Sequence, residues 1–503
     1  MSKSYCDFID EITSDDIYEG LLAYGMITEK LPPVFTSVPF FDYCLNNNPI
    51  FSNDWQEYVS FSSMRNLNIP RIFGIPTPMK YEKLCSLLRD NWDNIRIHFH
   101  QETDMEEYRV SRIHLRKRAS TKSLFEMNYK NWYVDGNPET DLLMINSKAS
   151  RFVVKADIST CFPSIYSHSL PWALVGKDTA KQQRTQRNIW YNQLDSACSN
   201  MKYGETHGLL IGPHASNLLA EIILTCVDKR LYANGFRFIR NIDDYECYVE
   251  NYERAQLFLR DLEDALREFD LSLNHKKTAI KRLPVSINEN WIHRLNGSLA
   301  DKKSYTYTDV NSFLDLALCV ADENEDSAVL KYAIKTLSGL DMTASAKLVC
   351  AQRIMHLAAV YPYLLHLMEE FVLTPYRVDA SQIKVFAETV CKEAMSVNNF
   401  EAICYAIYFA LKYGFEIAAL DIDWVIDHKD CILLLMTWLY YSKFNLGNNR
   451  AVQLNTIYNY AKSLVLNEMD RYWIFCYEVL PVGDLSGEWQ QLKQAGISFI
   501  KNV

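Results

Sequence analysis

The sequence predicts two parts of different class: a mixed α/β part over residues 1–300, then an all-helical part over residues 301–503. Three observations carry this expectation. Up to residue 300, short β-branched or aromatic runs alternate with helical patterns, and two of those runs flank Asp243-Asp244. From Asn311 onward the apolar residues fall almost throughout at helical spacing. A chain of 503 residues also exceeds one ordinary core, so at least two domains are expected.

In the first part, Pro70, Pro76 and Pro78 punctuate Asn66 to Lys80, which reads as a loop leading into a helix from Tyr81 to Trp92. Arg151 to Ala156 is apolar and β-branched and runs into an acidic turn, the pattern of a strand. Phe236 to Asn241 and Tyr245 to Glu250 stand on either side of Asp243-Asp244 and predict a β-hairpin. Tyr252 to Glu268 places Ala255, Phe258, Leu259, Leu262 and Leu266 on one helical face. In the second part, Leu330, Ala333, Ile334 and Leu337 form one stripe, and Ile403, Ala406, Ile407, Ala410 and Leu411 another. Breaks fall at Pro362, Pro375, Gly414 and Gly447-Asn448 without a fixed period. The expected architecture is irregular helical hairpins stacked as a HEAT-like α-solenoid, with a compact bundle as the alternative.

Composition narrows the function classes. A net charge of −10 excludes a protein that coats nucleic acid nonspecifically, because phosphates need a basic face. A local basic channel stays open, since Arg109, Arg112, Arg116, Lys117, Arg118 and Lys122 crowd one short stretch. Arg112 and Arg116, four apart, would share a helical face. The 13 Cys show no C-x-x-C spacing and many lie among apolar neighbours, which fits a reducing cytosol. Met1 to Glu11 has no apolar signal core. The longest apolar run, Cys431 to Tyr441, is well short of the ~20 residues of a membrane span. A soluble, cytoplasmic protein with no membrane partner is expected.

Three segments carry chemistry. Val153 to Phe162 ends an apolar strand on Asp157, where a carboxylate can face water at a sheet edge. An Asp there is also a common helix cap. The hairpin Arg240-Asn241-Ile242-Asp243-Asp244-Tyr245 sets two like charges at a tight tip, a repulsion that a divalent cation relieves. Phosphoryl transfer uses two ions ~3.5–4 Å apart, and carboxylates from neighbouring strands can hold them. Mg²⁺ accepts a few carboxylates plus phosphate and water oxygens, with Mn²⁺ as a substitute. Asp157 with Asp243 fits this clamp, Asp244 assisting. Between them lies Gly208-Leu209-Leu210-Ile211-Gly212-Pro213-His214-Ala215-Ser216-Asn217, a glycine-rich turn where backbone can approach a ligand closely. Gly212 and Ser216 are candidate nucleotide contacts, and Ser216 would sit near the start of a helix.

The Asp157 segment resembles motif A of reverse transcriptases, Gly208 to Ser216 motif B, and Asp243-Asp244 motif C. Leu273-Asn274-His275-Lys276-Lys277-Thr278 is similar to motif D, with Lys277 matching a lysine near the incoming triphosphate. The motifs follow in order over residues 65 to 285. Phe125-Glu126-Met127-Asn128-Tyr129, Asp157 through Ser169 and Pro171-Trp172-Ala173-Leu174 resemble more narrowly the bacterial defence-associated, abortive-infection reverse transcriptases. That resemblance implies polymerase right-hand fingers and palm followed by helical repeats, a bacterial cytoplasmic enzyme, anti-phage defence and a homo-oligomer. It further implies addition of deoxynucleoside triphosphates to a single-stranded DNA product, protein-primed and template-independent in several members, or copied from a partner non-coding RNA in others. Phe162 stands where reverse transcriptases keep an aromatic beneath the sugar, where it would clash with a ribose 2′-OH. Arg112 and Arg116 stand where the family's fingers bind triphosphate. There are departures: Asn241 occupies a position often Tyr, and Thr206-His207-Gly208 replaces a Gln-containing form.

Two alternatives stay beside the protein-primed polymerase: an enzyme templated by a partner RNA, and a helical scaffold that binds a phage or host factor while the acids are dispensable. Tyr5, Tyr18, Tyr24 and Tyr43 are candidate priming hydroxyls. His356 and His366 read as satisfied histidines in helical surroundings.

Overall fold

The structure, a computed structural model, describes residues 5–64, 70–103, 115, 124, 133–134, 137–138, 149–284, 290–299, 302–324, 327–418, 421–444 and 449–501. The chain divides into two compact units. The first comprises Met1–Thr28, Thr36–Val59 and Gly74–Val285; the second comprises Glu29–Phe35, Ser60–Phe73 and Ser286–Val503. The division falls ahead of the boundary at 300 that the sequence suggests, and two short N-terminal stretches are counted with the helical unit. Local pattern cannot assign such stretches, because their membership is set by tertiary contacts.

The strands are β1 (Tyr58–Met64), β2 (Pro70–Pro76), β3 (Tyr133–Val134), β4 (Asn137–Pro138), β5 (Phe152–Asp157), β6 (Phe238–Asn241), β7 (Asp244–Val249) and β8 (Ala279–Arg282). At the centre of the first unit lies an antiparallel sheet in the order β6-β7-β5-β8. The expected hairpin is β6–β7, but its two-residue turn is Ile242-Asp243, since Asn241 already pairs with Asp244. The pairing Val154↔Cys247 continues to Asp157↔Asp244, so the two central strands end together on carboxylates.

Helix α1 (Ala215–Ala233) is apolar nearly all round and buries Leu218, Leu219, Ile222, Ile223, Val227 and Leu231, as a core helix must. Helix α2 (Tyr252–Arg267) begins where Asn251 accepts the Arg254 amide at 2.7 Å. It buries Ala255, Phe258, Leu262 and Leu266 of the predicted stripe and leaves Leu259 half-buried, with the helix packed on β5 and β7. Phe258 meets the rings of Phe236 and Phe238, at centroid distances of 5.2 and 6.1 Å. Truncating it to Ala would cost about 3–5 kcal/mol. The helix expected over Tyr81 to Trp92 instead runs Pro78–Asp90, with a second over Trp92–Thr103. Pro78 is pre-shaped for a first helical turn, which moves the start upstream.

In the second unit every named element from Asn290 onward is helical among the described residues. Helices adjacent in sequence pack as neighbours: Tyr307–Asn324 on Ser327–Ser338, Ala380–Ser396 on Phe400–Tyr413, and Cys431–Lys443 on Asn449–Leu464. The stripe Ile403, Ala406, Ile407, Ala410 and Leu411 is fully buried, and Gly414 ends that helix in the left-handed conformation at φ 71°. Among the described residues no helix is long and apolar enough to cross a membrane.

Candidate active site

Asp157 is the last residue of β5 and Asp244 the first of β7, and they are direct register partners. Residues directly opposite in an antiparallel pair share a sheet face, with Cβ atoms about 4.5–5.5 Å apart. Asp243 stands in the turn between β6 and β7, and its carbonyl accepts the Ile158 amide at 3.0 Å. Three carboxylates thus meet at one end of the two central strands. Asp157 and Asp244 are direct strand neighbours, with Asp243 beside them at the tip.

The electrostatics follow from this crowding. Asp244 is pushed up to about 7, first by desolvation, then by the Asp243 charge and the hydrogen bond between Asp244 and Asp157. Asp157 is itself buried, which alone would raise it. Hydrogen bonds from Lys277 Nζ at 2.7 Å and Asn274 Nδ2 at 2.9 Å outweigh burial and hold it below the usual carboxylate range. Asn274 also gives its amide to the Asp157 carbonyl at 2.7 Å. An all-oxygen donor set of this kind, without His or Cys, suits a hard divalent cation.

Beneath the hairpin lies a buried ionic network. Arg240, fully buried, gives Nε to both oxygens of Asp228 at 3.0 and 2.9 Å, and Nη1 and Nη2 to Glu221 at 2.9 and 2.8 Å. Arg240 Nη1 also reaches the Ile242 carbonyl at 3.0 Å. Ile242 adopts φ 58°, a conformation a β-branched residue takes only when its surroundings enforce it. The Tyr245 hydroxyl donates to Asp228 at 3.1 Å and that of Tyr5 to Glu221 at 3.0 Å. Sequence reasoning missed this network. Its signal was there: Glu221 and Asp228 are two turns apart on one face of a helix otherwise rich in Leu and Ile, and buried acids demand a cation.

The motif B loop is tied to motif A through backbone. Gly208 (φ 86°) gives its amide to Ile165 at 2.8 Å, and Leu209 gives its own to Phe162 at 2.8 Å. A Cβ at Gly208 would meet the Pro163 carbonyl at 2.8 Å, so no larger residue fits there. Gly212 also takes a positive φ, 124°. Ser216 is the second residue of α1; it is buried and donates to the Leu210 carbonyl at 2.6 Å, which makes it a loop anchor. Phe162 lies in a short helix, Cys161–Ser164, that follows Thr160 in the left-handed conformation at φ 44°, and its ring is half-buried. Lys277 joins the acids as described. Arg112 and Arg116 lie outside the described residues, as do Phe125 to Tyr129.

Of the candidate priming hydroxyls, Tyr5 and Tyr18 are buried and engaged, Tyr18 with Glu82 at 2.9 Å. Tyr24 is exposed and Tyr43 partly so. His98, Glu102 and Cys226 also converge. However, His98 Nε2 meets the Ile222 carbonyl at 2.9 Å and Lys229 holds Glu102 at 3.1 Å, so the three serve core hydrogen bonding.

Residues 105–311 match the family model of reverse transcriptase (RNA-dependent DNA polymerase). The chain carries a reverse transcriptase domain. The matched span contains Asp157, Asp243, Asp244, Phe162, Gly212, Ser216 and Lys277. No curated protein matches the chain in sequence. Among solved structures, apo telomerase from Candida tropicalis truncated of its C-terminal domain is 12% identical, with 49% of this chain and 55% of that one covered at a TM-score of 0.28. Apo telomerase from Candida tropicalis is 9% identical over 83% and 72%, at 0.33. Telomerase from Candida albicans with a TWJ fragment of telomeric RNA is 13% identical over 84% and 66%, at 0.29. The chain thus spans just over half the length of the first of these. The reverse transcriptase domain is assigned on the family match and the carboxylate geometry, not on these likenesses.

Proposed function

We propose that the protein polymerises deoxynucleotides, with Asp157, Asp243 and Asp244 as ligands of Mg²⁺ and Phe162 excluding ribose. The observation that carries this reading is the Asp157↔Asp244 register pairing beside Asp243 at the turn. When bound, a divalent pair activates a 3′ oxygen and offsets charge on the leaving pyrophosphate. The chain's own part is positional: the hairpin and β5 hold the carboxylates, Asn274 orients Asp157, and Lys277 supplies a cation within reach of a triphosphate. Gly208 and Gly212 let the motif B backbone approach the nucleotide.

We further propose that synthesis serves anti-phage defence in a bacterial cytoplasm, starting from a protein hydroxyl, in a homo-oligomer whose second unit is a HEAT-like stack. Support comes from the narrower motif resemblance and from sequence-neighbour packing of the helices. Among the weighed hydroxyls, exposed Tyr24 suits priming better than buried Tyr5 or Tyr18. Purified protein should incorporate labelled dNTPs with Mg²⁺ or Mn²⁺, and Asp157→Asn should reduce this by about a thousandfold, the several kcal/mol that metal-bound charge stabilisation supplies. DNA that survives denaturing electrophoresis on the wild type and is missing from the variant supports protein priming. Free DNA complementary to a co-purifying RNA points to the templated alternative. Full phage protection by an inactive variant overturns the link to defence.

A further inference from the structure

Outside the carboxylate cluster, the first unit displays two large aromatic side chains to solvent at one place. Trp55 is 61% exposed and Tyr203 60%, with ring centroids 6.3 Å apart and planes at 65°. Apolar rings of this size normally gain about 1.5–3 kcal/mol each by burial, so their joint exposure calls for a partner.

The mount that holds them is rigid. Tyr203 takes φ 54°, a left-handed conformation that is unfavourable for an aromatic residue, and Gly204 follows at φ 86°. The two segments are cross-tied: Gln56 donates its amide to the Asn200 carbonyl at 2.9 Å, and Tyr203 donates its own to Gln56 at 2.9 Å. Gly204 also bonds back to Ser199 at 2.9 Å. A Cβ on Gly204 would meet the Trp55 ring at 3.2 Å, so the indole lies directly on bare backbone. The chain therefore enforces an otherwise unfavourable turn that keeps both rings outward. Strain of this kind concentrates where a site must be preformed.

The same loop is joined to the catalytic backbone. Lys202, itself buried, donates Nζ to the carbonyls of His207 and, at 3.0 Å, Gly208. Gly208 and Leu209 in turn bond to the Ile165 and Phe162 carbonyls of motif A. A few residues thus link the exposed rings to the loop that meets the nucleotide. The neighbouring acids are already paired, Asp54 with Lys80 at 2.5 Å and Glu205 with Lys202 at 3.8 Å. The patch offers ring faces, with no free charge among these groups to attract phosphate.

We infer that Trp55 and Tyr203 form a stacking platform for an unpaired base of a nucleic-acid strand entering the cleft, an inference that rests on the polymerase reading above. Every base has a π face, so the platform would be indifferent to sequence, and stacking without phosphate contact leaves the salt dependence of binding unchanged.

The test is fluorescence anisotropy of the full chain with a labelled single-stranded DNA 20-mer and its RNA counterpart, at several salt concentrations. Trp55→Ala and Tyr203→Ala should each weaken binding by about five- to a hundredfold, with the slope against log salt unchanged and with affinity regained in Trp55→Phe. An abasic 20-mer tests the wild type without any variant: it should bind wild type no better than the intact strand binds the double variant. Equal affinity of wild type for intact and abasic strands overturns the platform, as does a double variant that binds normally or changes only in self-association. Nucleotide incorporation is scored separately. A platform contrast in a protein that incorporates nothing sinks the polymerase reading alone, and the reverse pattern sinks the platform alone.

Discussion

The Lys277 ammonium lies 2.7 Å from Asp157 Oδ1, which makes it a direct competitor of any cation for that carboxylate. About half of the Lys277 side chain is exposed, so the pair is worth no more than about 1 kcal/mol after solvent screening. Removing the ammonium should therefore have two opposite effects. Lys277→Met should lower the half-saturating Mg²⁺ concentration by up to about fivefold, the equivalent of that pair. It should at the same time lower the saturated incorporation rate if Lys277 contacts the triphosphate as proposed. A Mg²⁺ titration of dNTP incorporation reads both. A variant in which the Mg²⁺ requirement rises while the rate holds would contradict the competition.

Arg240 is the keystone of the hairpin, and its loss should be severe. Arg240→Met leaves Glu221 and Asp228 buried beside each other without their cation, a change that typically costs about 3–5 kcal/mol. It also frees the Ile242 carbonyl, so the strained turn that carries Asp243 loses its anchor. Urea unfolding followed by circular dichroism should show the loss. Incorporation should fall even under conditions where the variant is folded. Arg240→Lys should rescue little, since one ammonium cannot serve two carboxylates and a carbonyl in the bidentate manner of a guanidinium. Near wild-type stability in Arg240→Met would refute the account.

How much of this was legible in the sequence depends on which interaction fixes each feature. The hairpin around Asp243, the strand ending at Asp157 and the α2 stripe follow local period and turn chemistry, and they could be read directly. The direct register partnership of Asp157 with Asp244 could not. It turns on a one-residue register that only strand pairing decides. The place of Ser216 near a helix start was legible, but its bond to the Leu210 carbonyl was not, because a buried hydroxyl takes whichever carbonyl the fold brings near. Asn274 and Arg240 were invisible as partners because their bonds span over a hundred residues in one case and link helix to strand in the other. The helix starts at Pro78, ahead of Tyr81, because a proline that breaks a helix interior fits its first turn.

Phe162 provides a test of sugar choice. Its carbonyl is fixed by the Leu209 amide at 2.8 Å, so the residue is held at the junction of the two loops while its side chain stays half-buried. Replacing it with Ala should relieve a clash worth about 1–3 kcal/mol and so shift the ratio of ribo- to deoxynucleotide kcat/KM by about ten- to two-hundredfold toward ribonucleotides. Single-nucleotide incorporation with dCTP and CTP measures the ratio. Unchanged discrimination would remove Phe162 from sugar selection.

The second unit makes a prediction about pH. His366 is pushed down to about 3, first by burial and then by the charges of Lys30, Lys331 and Lys335. Its Nε2 lies 3.4 Å from Lys30 Nζ, an arrangement that needs the imidazole as a neutral acceptor. The folded state thus refuses a proton that the unfolded chain accepts at the ordinary value of 6.5. Stability is full above that value and falls as pH drops below it, by up to about 1.4 kcal/mol per pH unit, until the folded group itself titrates near the lower value. Carboxylates titrate in the same window, so the informative quantity is the difference between wild type and a variant. His366→Gln keeps an acceptor for Lys30 and cannot be protonated. Chemical denaturation at pH 7.5, 6.0 and 5.0 should show the wild type losing ground to His366→Gln at each step down, with the gap closing again above pH 7. Parallel curves would mean that His366 takes its proton in the folded state and that the three lysines do not bear on it.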